Sequence, residues 1–143
     1  MLFTATDNGT PQLSANSTVT ITVLPVAQPV FKKVSYAKTV SIRTGGTQTW
    51  TAQITDPNTN LALWVNLRIV GRDSTGSIVF TATSGPVQTL AGQTSTLTVS
   101  QSFDSTAVGK TITFTAYIDW GLSSTGITQT STSTKGGSVK VTS

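Results

Sequence analysis

The chain has 143 residues, enough for one ordinary domain or one domain with part of another, and it carries nine Lys and Arg against five Asp. The sequence contains no cysteine, histidine or glutamate, which excludes disulfides, Cys/His metal sites and nucleophiles that depend on a histidine base. Charged residues make up only 10% of the chain, so the net charge of +4 predicts scattered surface cations and not a nucleic-acid-binding face.

The first part of the chain, residues 3–22, reads FTATDNGTPQLSANSTVTIT. Six of its residues follow the order A-x-D-x-G-x-P-x-L-S: Ala5, Asp7, Gly9, Pro11, Leu13 and Ser14. This order resembles the last two strands of a cadherin-like repeat, and residues 23–31 resemble the linker that follows such a repeat. The resemblance implies that residues 1–24 form an incomplete cadherin-like β-hairpin, and that a proline-containing linker spans residues 25–31.

The same resemblance raises the question of calcium. In cadherin-like repeats, the aspartate that matches Asp7 helps to hold Ca²⁺ between repeats, together with an acidic linker. Here Pro25, Ala27 and Gln28 stand where those acids would be, and one carboxylate falls short of the roughly six to eight oxygen ligands that Ca²⁺ takes. Asp7 is therefore the one candidate metal ligand, but we expect no cofactor. We expect Asp7–Asn8–Gly9 to be a turn in which the aspartate accepts a local backbone hydrogen bond.

Residues 18–24, TVTITVL, alternate threonine with apolar residues and predict a strand. Two strands cannot bury a two-sided core, and an isolated hairpin is marginal in water. Residues 1–24 are therefore expected to be the end of a longer chain, to pack on their own sandwich, or to pair with an open sheet of a neighbouring copy by β-strand addition. Under the last alternative, Val19, Ile21 and Val23 are interface residues.

Two sequons for N-linked glycosylation lie in this first stretch, at Asn8–Gly9–Thr10 and Asn16–Ser17–Thr18. Neither has proline at its middle position, so both satisfy the acceptor pattern. Such triplets also arise by chance in a chain with 30 threonines and 17 serines. Asn8 and Asn16 are therefore candidate glycosylation sites in a host that glycosylates its surface proteins.

Beyond residue 31 the apolar residues recur with period two in four runs: residues 49–54, 61–70, 97–103 and 112–120. Turn signals separate such runs: Gly45–Gly46, Asp56–Pro57–Asn58, Asp73–Ser74–Thr75–Gly76, Ser84–Gly85–Pro86, Ala91–Gly92, Val108–Gly109, Ser123–Ser124–Thr125–Gly126 and Gly136–Gly137. About seven or eight strands over residues 32–143 predict an all-β chain with an immunoglobulin-like β-sandwich, which resembles domains of prokaryotic cell-surface proteins. The expected core consists of large inward-facing apolar residues: Trp50, Leu63, Val65, Leu67, Phe80, Leu97, Phe114 and Ile118.

Two aromatic residues, Trp64 and Tyr117, fall out of phase with the inward-facing residues of their strands. Outward aromatic side chains stack sugars in many carbohydrate-binding modules, and they also pack sandwich domains against neighbours, since interface cores favour Trp and Tyr. Coverage by the domain's own loops is the third alternative. Trp64 and Tyr117 are therefore predicted interface residues.

The five acids give no indication of catalysis. Asp56, Asp73 and Asp104 stand in turn sequences, where aspartate bonds to local backbone, and Asp119 lies one position before Trp120 in a strand. A glycosidase needs two carboxylates ~5–10 Å apart across its substrate, and nothing in the sequence pairs these acids. We expect no enzyme.

These features lead us to expect a non-enzymatic structural subunit or adhesive module of an extracellular assembly, such as a surface layer, a pilus-like filament or a large adhesin. A surface rich in Thr, Ser, Asn and Gln is typical of secreted and cell-surface β-proteins, which leads us to expect a piece of a longer extracellular chain. No apolar run approaches the ~20 residues of a membrane-spanning helix. The expected partners are copies of the chain or neighbouring domains of the same surface protein, with glycans as a further expectation and no nucleic acid. Two alternatives stay open: a carbohydrate-binding or spacer module of a secreted enzyme, and a phage tail or capsid decoration domain.

Overall fold

Strands account for nearly all the regular structure in the computed structural model, which describes residues 2–10 and 14–143. The all-β prediction is confirmed. In chain order the strands are β1 Leu2–Thr6, β2 Ser14–Thr18, β3 Val30–Tyr36, β4 Thr39–Ser41, β5 Thr47–Thr55, β6 Leu63–Arg72, β7 Ile78–Thr83, β8 Val87–Thr89, β9 Thr94–Ser102, β10 Thr111–Gly121 and β11 Ile127–Thr142. Two single 3₁₀ turns interrupt them, at Ile42–Thr44 and Ser105–Ala107.

The nine strands from β3 to β11 form an immunoglobulin-like sandwich of two sheets. The larger sheet has the order β4-β11-β10-β6-β7, with β8 also paired to β6, and the smaller sheet has the order β3-β5-β9. All neighbours are antiparallel except β4 and β11, which run parallel. Seven of the nine strands have six or more residues, and the remaining two, β4 and β8, have three each.

The core lies between the two sheets and follows the predicted alternation. In β5, and in β6 as far as Ile69, every second residue is buried, which places Trp50, Ala52 and Ile54 opposite the inward residues of β6. Of the eight predicted core residues, seven are buried. The eighth, Phe80, is half-buried at the rim of the core, where its ring centroid lies 5.7 Å from that of Trp50.

The predicted turn at Gly136–Gly137 is wrong, because both glycines lie inside β11. They pair with Thr115 and Phe114 of β10. A side chain at Gly137 would collide with the Tyr36 hydroxyl and the Phe114 ring. Glycine within a strand often marks such a close approach, so this glycine makes room for the Tyr36–Phe114 aromatic pair.

The predicted strand over residues 18–24 is also wrong for the single chain. β2 ends at Thr18, which pairs with Leu2 of β1, and residues 19–29 lie in no strand. A strand exists only where its backbone groups find a ladder partner, and none of the strand pairings in the described chain includes residues 20–24. Within the cadherin-like motif, Pro11 and Leu13 lie outside the described residues.

The chain enters the sandwich at one end and leaves it at the other. Val30 begins β3 opposite Thr55 of β5, at the same end as the loop before β11. At the opposite end, Thr142 closes β11 beside Ser41 of β4. We call the end at which β3 begins the entry pole.

Candidate interaction surfaces

The outer face of the larger sheet presents both predicted aromatic residues. Trp64 of β6 lies opposite Gly121 of β10, and Tyr117 of β10 lies opposite Arg68 of β6. Both aromatic side chains are half-buried, in contrast to the fully buried residues on either side of them. Four residues of β6 separate the two positions, which corresponds to ~13 Å along the strand. Trp64 and Tyr117 therefore point to the outer face of the sheet, as predicted.

An ion pair lies between these two aromatic residues. Arg68 donates two hydrogen bonds to the Asp119 carboxylate, from Nε to Oδ2 at 2.6 Å and from a terminal nitrogen to Oδ1 at 2.8 Å. The Thr130 hydroxyl donates a third, also to Oδ1, at 2.8 Å. The Arg68 guanidinium also stands over the Tyr117 ring, 4.6 Å from its centroid, a cation–π arrangement.

The ion pair shifts the pKa of both partners. The hydrogen bond to Asp119 raises the pKa of Arg68 above its ordinary value. Burial alone would raise the pKa of Asp119, but the hydrogen bonds from Arg68 and Thr130 outweigh it and lower that pKa. Both groups are therefore charged near neutral pH, and the centre of this face is a fixed, neutralised polar cluster flanked by two aromatic side chains.

Sequence reasoning missed the Arg68–Asp119 pair. Alternation places both residues on the outer face of their strands, and that signal was present in the sequence. Their contact depends on the register of β6 against β10, in which Asp119 lies opposite Asn66 and reaches Arg68 diagonally. Register between strands distant in sequence is not readable from either strand alone.

The segment of residues 19–24 places its apolar side chains in solvent. Val19 is 44% exposed, Ile21 is 66% exposed and Val23 is 86% exposed. The hairpin itself buries none of the side chains described at residues 4–10 and 16–24. The side chains described in residues 4–10 and 16–24 are therefore not packed on the sandwich in the single chain.

The linker is anchored to the sandwich before β3 begins. Ala27 exchanges two hydrogen bonds with the Asn58 side chain, at 2.9 and 3.0 Å. Asn58 is held in turn by the fully buried carboxylate of Asp56, which accepts its side-chain N–H at 2.7 Å and its backbone N–H at 2.9 Å. Side chains of the loop after β5 therefore fix the position of the linker where it reaches the entry pole.

A second set of hydrogen bonds fixes the linker against β11. The Gln28 side chain accepts the backbone N–H of Thr132 at 2.9 Å, and the Ser131 hydroxyl donates to the Pro29 carbonyl at 2.7 Å. These contacts lie on the side of the sandwich where β3 meets β11. Two residues of the predicted linker, Val30 and Phe31, already belong to β3, and Phe31 is buried in the core.

The three polar candidates of the hairpin are all exposed: Asp7, Asn8 and Asn16. The backbone N–H of Gly9 donates to the Asp7 carboxylate at 3.1 Å, which is the local hydrogen bond predicted for this turn. Asn16 lies in β2 opposite Thr4. In the part of the chain that the structure describes, no three acidic residues come together in a group that could hold a metal ion.

Asp73 and Asp104 accept hydrogen bonds within their own turns, as predicted. The Asp73 carboxylate accepts hydrogen bonds from the backbone of Thr75 and Ser77, and the Asp104 carboxylate accepts them from Thr106. The Thr75 and Thr106 side-chain bonds are the main cause of a lowered pKa at Asp73 and Asp104 respectively. These carboxylates bond to local backbone and hydroxyl groups.

Among the described residues, no helix is long and apolar enough to cross a membrane. Comparison with protein-family models and with curated proteins finds no match to this chain. The candidate surfaces therefore rest on the chain's own residues.

Proposed function

We propose that this chain is a non-enzymatic structural subunit or adhesive module of an extracellular assembly, such as a surface layer, a pilus-like filament or a large cell-surface adhesin. In this proposal copies of the chain associate in two ways. Residues 18–24 add a strand to the sheet of a neighbour, and the outer face around Trp64 and Tyr117 packs against another sandwich. The cadherin-like resemblance of residues 3–31 supports the same class, because such repeats are modules of surface proteins.

One observation carries the proposal: a β-prone segment continues beyond the end of β2 at Thr18, and its residues 19–24 belong to no sheet. Residues 18–24 alternate threonine with valine and isoleucine, the pattern of a strand with one apolar face, and Ile21 and Val23 expose that face to solvent. Exposed apolar residues in a regular row are a feature of surfaces that bind another protein. An extended segment of this kind gains backbone hydrogen bonds and apolar burial together when it joins an open sheet edge.

The outer face of the larger sheet supports the second mode of association. Trp64 and Tyr117 are half-buried aromatic residues beside a neutralised ion pair. Aromatic residues and arginine are enriched at the centres of protein interfaces. The Arg68–Asp119 pair is already satisfied within the chain, so covering it does not bury an unpaired charge.

The experiment compares two lysine substitutions at neighbouring positions of the full chain, Ile21→Lys and Thr22→Lys. Both side chains are exposed in the single chain, so neither substitution should lower its melting temperature. Sedimentation velocity over a concentration series should show oligomers for the parent chain, clearly weaker association for Ile21→Lys, and a smaller effect for Thr22→Lys. The difference is expected because only the isoleucine lies on the apolar face that a partner would bury.

A deletion of residues 1–24 extends the test. The sandwich core contains none of the side chains that the structure describes in this segment, so the shortened chain should keep its fold and lose assembly through strand addition. A parent chain that stays monomeric at all concentrations would refute the proposal. Equal association by the shortened chain would refute the part assigned to residues 18–24.

A carbohydrate-binding module is the second candidate, and the outer face favours it specifically. Two aromatic side chains ~13 Å apart along a strand, with Arg68, Asp119 and Asn66 between them, could stack and hydrogen-bond sugar rings of a polysaccharide. Retardation of the chain in gels containing soluble polysaccharides tests this candidate. Trp64→Ala should abolish retardation if the face binds sugar, and Phe3→Ala, in the hairpin, serves as an aromatic control.

A further inference from the structure

Every edge strand of the sandwich except one has a feature that hinders pairing with a strand of another chain. β3 carries Lys32 and Lys33 and has a bulge between Phe31 and Lys33. β4 has three residues, as does β8. β7 is irregular beside β6, where its register shifts so that Val79 has no partner. Charge, shortness and bulges are the usual protections of edge strands.

The exception is β9, the outer strand of the smaller sheet. It is nine residues long, TSTLTVSQS, with no charged residue and no proline. Its register against β5 is unbroken from Thr47–Ser102 to Thr55–Thr94. On the side away from β5, alternate backbone N–H and C=O groups of an antiparallel edge strand are open to a further strand. Among the edges of the sandwich, β9 therefore offers the longest regular ladder without protection.

The outer face of this sheet is a row of hydroxyl groups. The outward residues of β9 are all threonine or serine: Thr94, Thr96, Thr98, Ser100 and Ser102. Three of them pair with threonines of β5 through side-chain hydrogen bonds of 2.7 to 3.0 Å. Cross-strand hydroxyl pairs of this kind stabilise neighbouring strands. A further strand matching this face would place threonine outward.

The inner side of the same edge is apolar and partly open. Leu97 and Val99 point into the core. Beyond them, a cleft of about 260 Å³ opens between β7 and the end of β9, with Val79, Phe80 and Phe103 on its apolar wall and Asp104 and Lys110 on its polar wall. A further strand matching this side would place valine or isoleucine inward.

Residues 18–24 have the threonine face and the apolar face expected of a strand that pairs with the β9 edge. Their threonines, Thr18, Thr20 and Thr22, lie on one face of the extended chain, and their valines and isoleucine lie on the other. The segment carries no charge, so bringing it beside β9 opposes no like charges. We propose that the acceptor for residues 18–24 is the free edge of β9 in a second copy of this chain, an inference that rests on the function proposed above.

The anchored linker favours a second copy over the segment's own sandwich. Hydrogen bonds hold Gln28 and Pro29 to β11 on the side where β3 meets the larger sheet. β9 is the opposite edge of the smaller sheet, beyond β5. In the single chain, the side chains of residues 19–28 are exposed. A strand added from another copy requires no rearrangement of the linker.

Cysteine cross-linking tests the acceptor edge directly, because the natural chain has no cysteine. A full-length chain with Thr20→Cys is mixed with a full-length chain with Thr98→Cys, oxidised, and analysed by peptide mass spectrometry. The expected product is a disulfide between the two different chains. Because the register is not fixed in advance, Thr96→Cys and Ser100→Cys are tested as well. Ser35→Cys on β3 is the matched control at a protected edge and should give no such product.

A charge placed in the acceptor cleft provides an independent measurement. Gln101 points to the inner side of β9 and lines the cleft, so Gln101→Lys should remain solvated in the monomer and be buried when a strand is added. We expect the concentration for half-assembly to rise about tenfold or more. Thr49→Lys adds the same charge to the outer face of the central strand β5 and should change it much less. Circular dichroism checks that both variants stay folded.

The outcomes separate this inference from the proposed function. Oligomers that cross-link from Thr20 to β3 and not to β9 would overturn the β9 assignment and leave strand addition standing. A chain carrying both Thr20→Cys and Thr98→Cys that closes a disulfide within itself, independently of concentration, would overturn the second copy as partner. A chain that never associates would overturn the inference together with the function on which it rests.

Discussion

Replacing Phe114 by alanine should remove a buried ring that packs against two other aromatic rings. Phe114 is 3% exposed, and its ring packs edge-on against Tyr36 at 4.7 Å and against Trp50 at 5.5 Å between centroids. Truncation of a buried phenylalanine costs ~3–5 kcal/mol, of which each edge-to-face pair accounts for ~0.5–1.5 kcal/mol. That loss is a large part of the ~5–15 kcal/mol by which a domain is stable.

Replacing Trp64 by alanine should destabilise the monomer less than Phe114→Ala does, and it should mainly weaken assembly. Trp64 is half-buried on the outer face of the larger sheet, so its removal leaves a groove that water can fill and not a closed cavity. We expect the monomer to lose ~1–2 kcal/mol of unfolding free energy. Assembly should weaken more than this, because an interface tryptophan is a frequent centre of binding energy.

Urea and thermal unfolding of the two variants, followed by circular dichroism at a concentration where the chain is monomeric, measures both losses. For a chain of this size, ~3–5 °C of melting temperature corresponds to 1 kcal/mol. The expected shifts are therefore ~10–25 °C for Phe114→Ala and ~3–10 °C for Trp64→Ala. The folded variants are then compared with the parent by sedimentation. If Trp64→Ala unfolds the monomer as severely as Phe114→Ala, the interface role of this tryptophan is wrong.

Three further predictions follow from single features. Addition of EDTA should leave the melting temperature and the oligomer distribution unchanged, because the linker has no acidic residues; a clear drop in either would reveal a calcium site. The lowered pKa of Asp119 means that its ion pair with Arg68 stabilises the fold above about pH 4 and loses that contribution as the pH falls through the folded-state pKa. The stability difference between the parent and Asp119→Asn should therefore shrink below about pH 4, and a difference that is constant from pH 7 to pH 2 would contradict this. Gly137→Ala should cost ~1–3 kcal/mol in urea unfolding because its methyl group would meet Tyr36, whereas Gly136→Ala, which meets a single backbone oxygen at 3.3 Å, should cost less; equal costs would show that the aromatic contact is not the cause.

Alternation along single strands could be read from the sequence because it depends only on each residue's neighbours two positions away. Trp50 in β5 and Leu63, Val65 and Leu67 in β6 were all placed correctly in the core by this signal. The turns at Asp73 and Asp104 were equally local, since each carboxylate bonds to residues two to four positions ahead. Local periodicity and local hydrogen bonding therefore predict the class of fold.

Features that depend on pairing between distant strands could not be read in the same way. Gly136 and Gly137 have the composition of a turn, but both pair with β10 inside β11, and Gly137 leaves room for the Tyr36–Phe114 pair. The Arg68–Asp119 ion pair depends on a register between two strands 51 residues apart. Residues 19–24 have the pattern of a strand, and only the arrangement of the other strands reveals that the single chain does not include them in a sheet.

Three of the few cations lie together near one edge of the sandwich. Lys32, Lys33 and Lys38 lie on or next to β3 and β4, at one side of the sandwich, and all three are exposed. Cations at an edge repel a second copy that presents the same edge, and that repulsion is screened by salt over a distance of ~10 Å at 0.1 M. Residues 18–24 and β9 carry no charge on either side of the proposed contact. Assembly through β9 should therefore be nearly independent of salt between about 0.05 and 0.5 M, whereas association through β3 should strengthen as salt is added. A steep rise of association with salt in sedimentation experiments would point to the lysine-bearing edge, and the strand addition proposed at β9 would then be wrong.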